Sequence, residues 1–284
     1  MTRRTMVRRP RARGGGDSWN ERAWAWERWE PVLMNGLAAV NPVLFRALDL
    51  APGQRVLDLG SGTGDPALAL AQWVGPRGRV LALDNSAVML GVARRRARIL
   101  GLRNVTFRNV DMNRFRHRGR PFHRAAARYA LMFAVDPAAV LGAIRASLVP
   151  GGILAAAVWG PTAKNPAAWL REEAARAFRK GPPTDPEATP GPMRFERQGL
   201  LARHFRKAGF RDVRTEAVPV AIVYADAEGF AELQLESALA EVSAALAPAE
   251  RRRLRALLVR RIRRYQDGPV LRVPGHAWVV SGRR

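Results

Sequence analysis

From residue 53 to residue 160 the chain alternates two patterns of apolar and polar positions. Short apolar runs of strand length, RVLDLG (55–60), RVLALD (79–84), VTFRNV (105–110) and ILAAAVWG (153–160), are separated by stretches whose apolar residues recur every three or four positions. After the first run Asp65 is placed to cap a helix, with Pro66 at its first position. After the second, Ser86 can cap a helix in which Met89, Ala93, Ala97 and Leu100 share a face and Gly101 ends the turn. A weaker run, RAAARYA (124–130), supplies another strand, and Asp136-Pro137 opens a helix that stops at Pro150-Gly151-Gly152. Strands that are nearly all apolar, alternating with helices, predict a parallel sheet covered on both faces, with right-handed crossovers.

The flanks follow other rules. Residues 1–16 are arginine-rich with no apolar segment and read as a disordered basic tail. Residues 17–52 read as a helical N-terminal cap in which Trp19, Trp26 and Trp29 fall near one helical face, with Trp24 beside them. That face is either buried packing or a lid over a pocket. Beyond residue 160 the alternation loosens. PTDPEATPGP (183–192) marks a loop, a helix is expected around 195–208, DVRTEAVPVAIVY reads as a strand and residues 227–265 as helical. Within that stretch Leu254, Leu257, Leu258, Ile262 and Tyr265 form an apolar stripe opposite a face of arginines, so the helix either packs on a core or presents a basic face. HAWVVSGR is expected to be the last strand. Residues 53–160 thus form the expected core, and residues 161–284 the remainder of the same sheet with helical insertions on the substrate side.

Composition narrows the chemistry. No cysteine is present among 284 residues, which removes disulfides, thiolate metal sites and a cysteine nucleophile, and is compatible with a cytoplasmic protein. No apolar run reaches the roughly 18 residues needed to span a bilayer. With four histidines and no acid–histidine spacing of the ligand type, no metal site is expected. The formal charge is +24, and all but three of the 48 basic residues are arginine. A polyanionic partner such as nucleic acid is one explanation; a merely basic surface is favoured, because the arginines are spread along the whole chain.

The sharpest local feature is VLDLGSGTG (56–64). Glycines at 60, 62 and 64, between a strand and a helix, let the backbone turn tightly and approach a ligand. A dinucleotide site would favour the spacing G-x-G-x-x-G, and Asp58 would oppose a pyrophosphate. An acid there suits a ligand that is cationic at that end, as S-adenosylmethionine is. Asp84 ends the second strand, where a carboxylate can accept both hydroxyls of a ribose. Asp111 ends the third, where it can accept from an adenine amino group. Each acid alone could be a cap or turn residue. Together, in register with the glycines, they make a specific pattern.

On these residues, with LALDNSAVML, VTFRNVDM, RYALMFAVDP and LVPGGILAAAVWG, the chain resembles the class I S-adenosylmethionine-dependent methyltransferases, and within them the ubiquinone/menaquinone biosynthesis group. The resemblance runs from Trp19 to Gly160 and only loosely beyond. It implies a doubly wound Rossmann-like sheet of seven strands, mostly parallel with an antiparallel last strand. It also implies that Asp58, Gly60, Ser61, Gly62 and Gly64 line the methionine end of the cofactor and that Asp84 holds the ribose. Asn85 and Met89 would flank the adenine, Asp111 and Met112 would lie at its edge, and Arg128 would face the methyl donor. The chain departs from the family in PFHRAAARYALMF, where His123 and Arg124 stand in place of the usual Phe-Asp before the fourth strand. It also lacks the N-terminal tyrosine-aspartate-x-methionine-asparagine run of quinone methyltransferases, so the quinone substrate does not carry over.

Methyl transfer from a sulfonium needs alignment more than a protein nucleophile. If a general base assists, His123, Tyr129 and His204 are the candidates, none strongly marked. A small-molecule acceptor is the leading expectation, contacted by the N-terminal tryptophans, the segment after Trp159 and the helices before the last strand. A nucleic-acid methyltransferase using the basic surface is second, and a cofactor-binding protein without turnover third. Oligomeric state has no signature in the sequence.

Overall fold

The computed structural model describes residues 18–178 and 187–284. The basic tail expected at 1–16 and the first part of the Pro-rich stretch lie outside these residues. The chain begins with α1 (Ser18–Leu37) and α2 (Asn41–Leu48), then alternates β1 (Arg55–Leu59), α3 (Ala67–Val74), β2 (Arg79–Asp84), α4 (Ala87–Ile99) and β3 (Val105–Asn109). It continues with β4 (Phe122–Arg128), α5 (Pro137–Ser147) and β5 (Leu148–Trp159), and then α6 (Pro166–Phe178), α7 (Leu200–Lys207) and β6 (Arg211–Tyr224). Three helices, α8 (Ala227–Glu236), α9 (Ala240–Ala245) and α10 (Pro248–Ile262), precede the two-residue β7 (Gln266–Asp267) and the long β8 (Val270–Arg283).

Seven strands run in the order β3-β2-β1-β4-β5-β8-β6, and β7 adds an eighth by pairing with β8. Strands β1 to β5 are parallel, while β8 lies antiparallel to both β5 and β6. This is the doubly wound, mostly parallel Rossmann-like sheet expected from the sequence. Alanine is a poor strand former, yet Ala125, Ala126 and Ala127 in β4 and Ala155, Ala156 and Ala157 in β5 are wholly buried at the centre of the sheet. Flanking strands supply their ladder bonds, and the short side chains let helices approach both faces. One face packs on α5 and α7 through Leu141, Ile144 and Phe205; the other packs on α2, α3 and α4 through Leu44, Leu70 and Leu90.

The caps follow the expected chemistry with one exception. The Ser86 hydroxyl accepts from the Met89 amide at 3.2 Å, and Asp136 accepts from the amides of Ala138 and Ala139 at 2.9 and 3.0 Å. Asp65 does not cap α3; its carboxylate pairs with Arg128 instead. An ion pair to a nearly buried guanidinium outweighs a cap on a short helix. Leu100, expected on the buried face of α4, is about half exposed.

β6 and β8 continue together beyond Trp159, past the carboxyl edge of the parallel strands. On this extension sits a third core formed by α6, α8 and α10, in which Leu170, Phe230, Leu254, Leu258 and Ile262 are buried. The stripe on α10 is therefore packing, and its arginines face out. The stretch Trp19–Leu48 is long and apolar enough, by length and composition, to cross a membrane, although no single apolar run within it stood out in the sequence. In the fold it is broken into separate helices, and Leu44 and Leu48 are fully buried against the sheet.

Candidate functional site

The functional region lies at the carboxyl edge of the sheet, where a doubly wound fold collects its strand ends. The turn after β1 folds back onto β2: the amides of Gly60 and Ser61 donate to the Leu83 carbonyl at 2.8 and 3.0 Å. Gly60 has φ +71°, and a Cβ there would lie 2.4 Å from the Ala130 Cβ, so only glycine fits. Asp84 then locks the turn. Its carboxylate accepts from the Gly62 amide at 2.8 Å and from the Ser86 amide at 2.8 Å. Burial raises the Asp84 pKa, opposed by these backbone donors. Each oxygen still has lone pairs to offer. At the end of β3, one Asp111 oxygen accepts from the backbone and side-chain nitrogens of Asn113 at 2.9 and 2.7 Å.

These strand ends enclose a cavity of about 150 Å³. Gly60, Ser61, Gly62, Asp84, Asn85, Met89, Asp111, Met112, Arg128 and Tyr129 all line it. Asp58 and Gly64 do not. Asp58 is fully buried on β1 with no side-chain partner, and desolvation holds its pKa well above the ordinary value, opposed by Arg128 and more weakly by the Ala67 amide. Gly64 serves close packing: a Cβ there would meet Leu68 at 2.9 Å and Ala93 at 3.2 Å. Arg128 spans the cavity wall, paired with Asp65 and donating to the Asp65 carbonyl at 2.8 Å and to Asn41 at 3.3 Å.

The helix α1 closes the cavity from above. Trp19 and Trp26 line it, and Trp19 meets Phe133 edge-on at 5.1 Å. Glu30 accepts from the Thr63 hydroxyl at 2.8 Å and pairs with Arg96, while the Asn20 amide oxygen accepts from the Ser86 hydroxyl at 2.9 Å. The lid reading of the tryptophans thus holds for Trp19 and Trp26, whereas Trp24 is half exposed and Trp29 donates to Glu236 at 2.7 Å. Thr63, Asp65 and Asn113 line the cavity too, and no pattern in the sequence singled out Thr63 or Asn113.

A second, larger cavity of about 400 Å³ adjoins the first. Trp19, Trp26, Leu37, Tyr129 and Phe133 line both. Much of the rest of its wall comes from the end of β5 and from α6, β6, α8, α9 and β8, including Trp159, Arg171, Ile222 and Gln234. Tyr129 stands at the junction with φ +52°, its ring stacked on Trp159 at 4.6 Å and its hydroxyl buried without a partner. A non-glycine residue in that conformation stores strain where the site needs it. Burial also raises its phenol well above the ordinary pKa, so it stays protonated.

The two histidine candidates lie elsewhere. His123 starts β4, at the end of the sheet opposite the cavities, where its Nδ1 accepts from the Arg55 amide at 2.9 Å. His204, on α7, meets Phe195 edge-on at 5.5 Å. Desolvation lowers both pKa values, and neighbouring arginines add to the effect. Neither lines a cavity. Among the described residues no group of three or more histidine, aspartate or glutamate side chains could hold a metal.

A family model described as a methyltransferase domain matches residues 50–181. A ubiquinone/menaquinone biosynthesis C-methyltransferase of Coxiella burnetii is 35% identical over 106 residues, which cover 37% of this chain and 42% of that enzyme. A demethylmenaquinone methyltransferase of Bacillus cytotoxicus is 33% identical over 108 residues, covering 38% and 46%. This chain therefore spans under half the length of the curated relatives it matches. Among solved structures, a putative methyltransferase from Bacillus halodurans superposes with a TM-score of 0.56 at 17% identity, covering 85% of this chain and 97% of that one. The [4+2]-cyclase SpnF does so with a TM-score of 0.57 at 20% identity, covering 94% and 96%. Residues 50–181 are thus similar to methyltransferase domains, and the sheet around them has the Rossmann-like fold expected for the class I S-adenosylmethionine-dependent enzymes.

The residues present fit the cofactor of that class. A Cβ at Gly62 would meet only the Met89 sulfur, at 3.9 Å, so the turn is open on the side that lines the cavity. The Ser61 hydroxyl is buried with no partner, and Asp84 and Asp111 bring carboxylates, which can accept hydrogen bonds, to the wall of the same cavity.

Proposed function

We propose that this chain is an S-adenosylmethionine-dependent methyltransferase acting on a small-molecule acceptor held in the second cavity. The joining of the two cavities carries the reading: the site at the strand ends shares five wall residues with a larger, mostly apolar chamber roofed by helices. Small ligands are taken in such chambers. Relatives named for quinone biosynthesis support an acceptor of that size class. Bound S-adenosylmethionine supplies a methyl group on a cationic sulfur that leaves as a neutral thioether.

The protein's part is positioning and dryness. Asp84 and Asp111 hold the nucleoside end by accepting hydrogen bonds. Trp19 and Trp26 exclude water from the junction. Tyr129, protonated at neutral pH, donates a hydrogen bond to an acceptor oxygen or nitrogen at the shared wall and orients it; it does not act as a base.

Calorimetric titration of the purified protein, freed of nucleic acid, with S-adenosylmethionine and S-adenosylhomocysteine tests the reading. Micromolar binding of both is expected; absence of both removes the cofactor site and the enzyme with it. Tyr129→Phe should keep cofactor affinity within about twofold and lower turnover by roughly tenfold, the loss of one neutral hydrogen bond.

A further inference from the structure

We propose that the acceptor is an apolar molecule with an oxyanion head, recognised by Arg171, Tyr224 and Gln234 on the wall of the second cavity. This deepens the methyltransferase reading and rests on it for the word acceptor.

Arg171 on α6 lines the cavity, and among the described residues it makes neither an ion pair nor a hydrogen bond. Desolvation pushes its guanidinium below the usual arginine value, with the nearby Tyr224 and Glu172 opposing. The other charged wall residues are already matched: Arg22 pairs with Glu241 at 2.9 Å and Glu172 with Arg176 at 3.3 Å. A partly buried cation with no counter-ion on a cavity wall is placed to pair with an anion that enters. Five donors in a planar fork suit an oxyanion.

Two further donors stand free beside it. Tyr224, buried on β6, makes no side-chain hydrogen bond among the described residues, and its burial keeps the phenol protonated. Gln234, buried on α8, has an amide with no partner, its oxygen included. Unsatisfied polar groups in a core are rare. The Gln234 oxygen is one, and it shares a cavity with the unpaired Arg171 and Tyr224 on two other elements, amid apolar walls that include Leu33, Trp159, Met193 and Ile222.

The probes are a matched pair of dyes, 8-anilinonaphthalene-1-sulfonate and its uncharged counterpart N-phenyl-1-naphthylamine, titrated by fluorescence into the full chain. Arg171→Met should weaken the sulfonate at least about tenfold and leave the neutral dye within about twofold. Tyr224→Phe, which removes one hydroxyl, should weaken the sulfonate about threefold. Ala175→Trp, on the cavity wall, should abolish both. Equal sulfonate affinity in wild type, Arg171→Met and Tyr224→Phe, with melting temperatures unchanged, overturns the proposal. Sulfonate binding that survives Ala175→Trp overturns it as well, because it places the dye on the basic surface. Titration with S-adenosylhomocysteine in parallel keeps the two readings separate: loss of that binding in wild type sinks the methyltransferase while the dye result stands.

Discussion

The two cavities share a wall but are assembled by opposite means. The smaller is built mostly from the ends of consecutive strands and the turns that follow them, at positions 60–65, 83–89, 110–113 and 128–133, with α1 above. The larger draws on α1, α6, β6, α8, α9 and β8, segments more than 200 residues apart in the chain. In the first, the sheet fixes the geometry and each residue is placed by its distance from a strand end. In the second, helices hung on an extended strand pair fix it. The comparison teaches which half tolerates change: the cofactor side is held by backbone hydrogen bonds, the acceptor side by side chains on helix faces.

The largest expected effect breaks the cofactor half alone. Asp84→Ala removes the proposed ribose acceptor and frees the Gly62 and Ser86 amides that the carboxylate holds. Charge-assisted bonds of this kind contribute about 1.5–3 kcal/mol each, so affinity for S-adenosylhomocysteine should fall at least about a hundredfold. Calorimetry measures it, with circular dichroism showing that the fold persists. The neutral dye should still enter the larger cavity. Loss of both ligands together would show that the cavities are one cooperative unit.

The same division governs what the sequence reveals. The strand ends carrying Asp84 and Asp111 are legible because apolar runs mark the strands and the glycines mark the turn. Ser86 and Asp136 are legible as caps for local reasons. Asp65 was not, since a cap is a local inference while its partner, Arg128, arrives from another strand. Asp58 was read into the ligand site because it stands two residues before Gly60. In a strand, however, residues 58 and 60 are separated by the start of a turn, and only the second reaches the cavity. The acceptor cavity left almost no local trace. Arg171, Tyr224 and Gln234 have unremarkable neighbours in the chain, and only the packing of α6, β6 and α8 brings them to one chamber.

A second test sharpens the contrast beneath the cofactor turn. Desolvation raises the Asp58 pKa above its ordinary value of 3.8, with the charges of Asp65 and Asp84 adding to the shift and that of Arg128 opposing it. A raised carboxyl binds its proton more tightly in the folded state. Stability from this group is therefore full below about pH 3.8 and is lost as pH rises from there through the folded value. Asp58→Asn removes that dependence. The variant should melt higher than wild type at pH 7, by an amount on the order of 1 kcal/mol, and the difference should vanish near pH 3.5. Melting curves across that range check it. A variant less stable at pH 7 would mean that Asp58 is ionised against Arg128 in the native state.

The smallest effect is expected where α1 meets the acceptor side. Glu236 on α8 accepts from the Arg28 guanidinium at 2.6 Å and from the Trp29 indole at 2.7 Å. Half of the Arg28 side chain is exposed, so the ion pair contributes little and the indole bond more. Glu236→Ala should cost about 1 kcal/mol of stability or less. What it loosens is the face of α1 that meets α8. Another face stays pinned through Glu30 to Thr63 and Arg96, and through Asn20 to Ser86. Neutral-dye affinity should therefore drop about threefold while S-adenosylhomocysteine affinity stays within about twofold. Equal losses in both would mean that α1 moves as one rigid strap over the two cavities, and the shared wall of Trp19, Trp26 and Phe133 would then couple cofactor binding to acceptor entry.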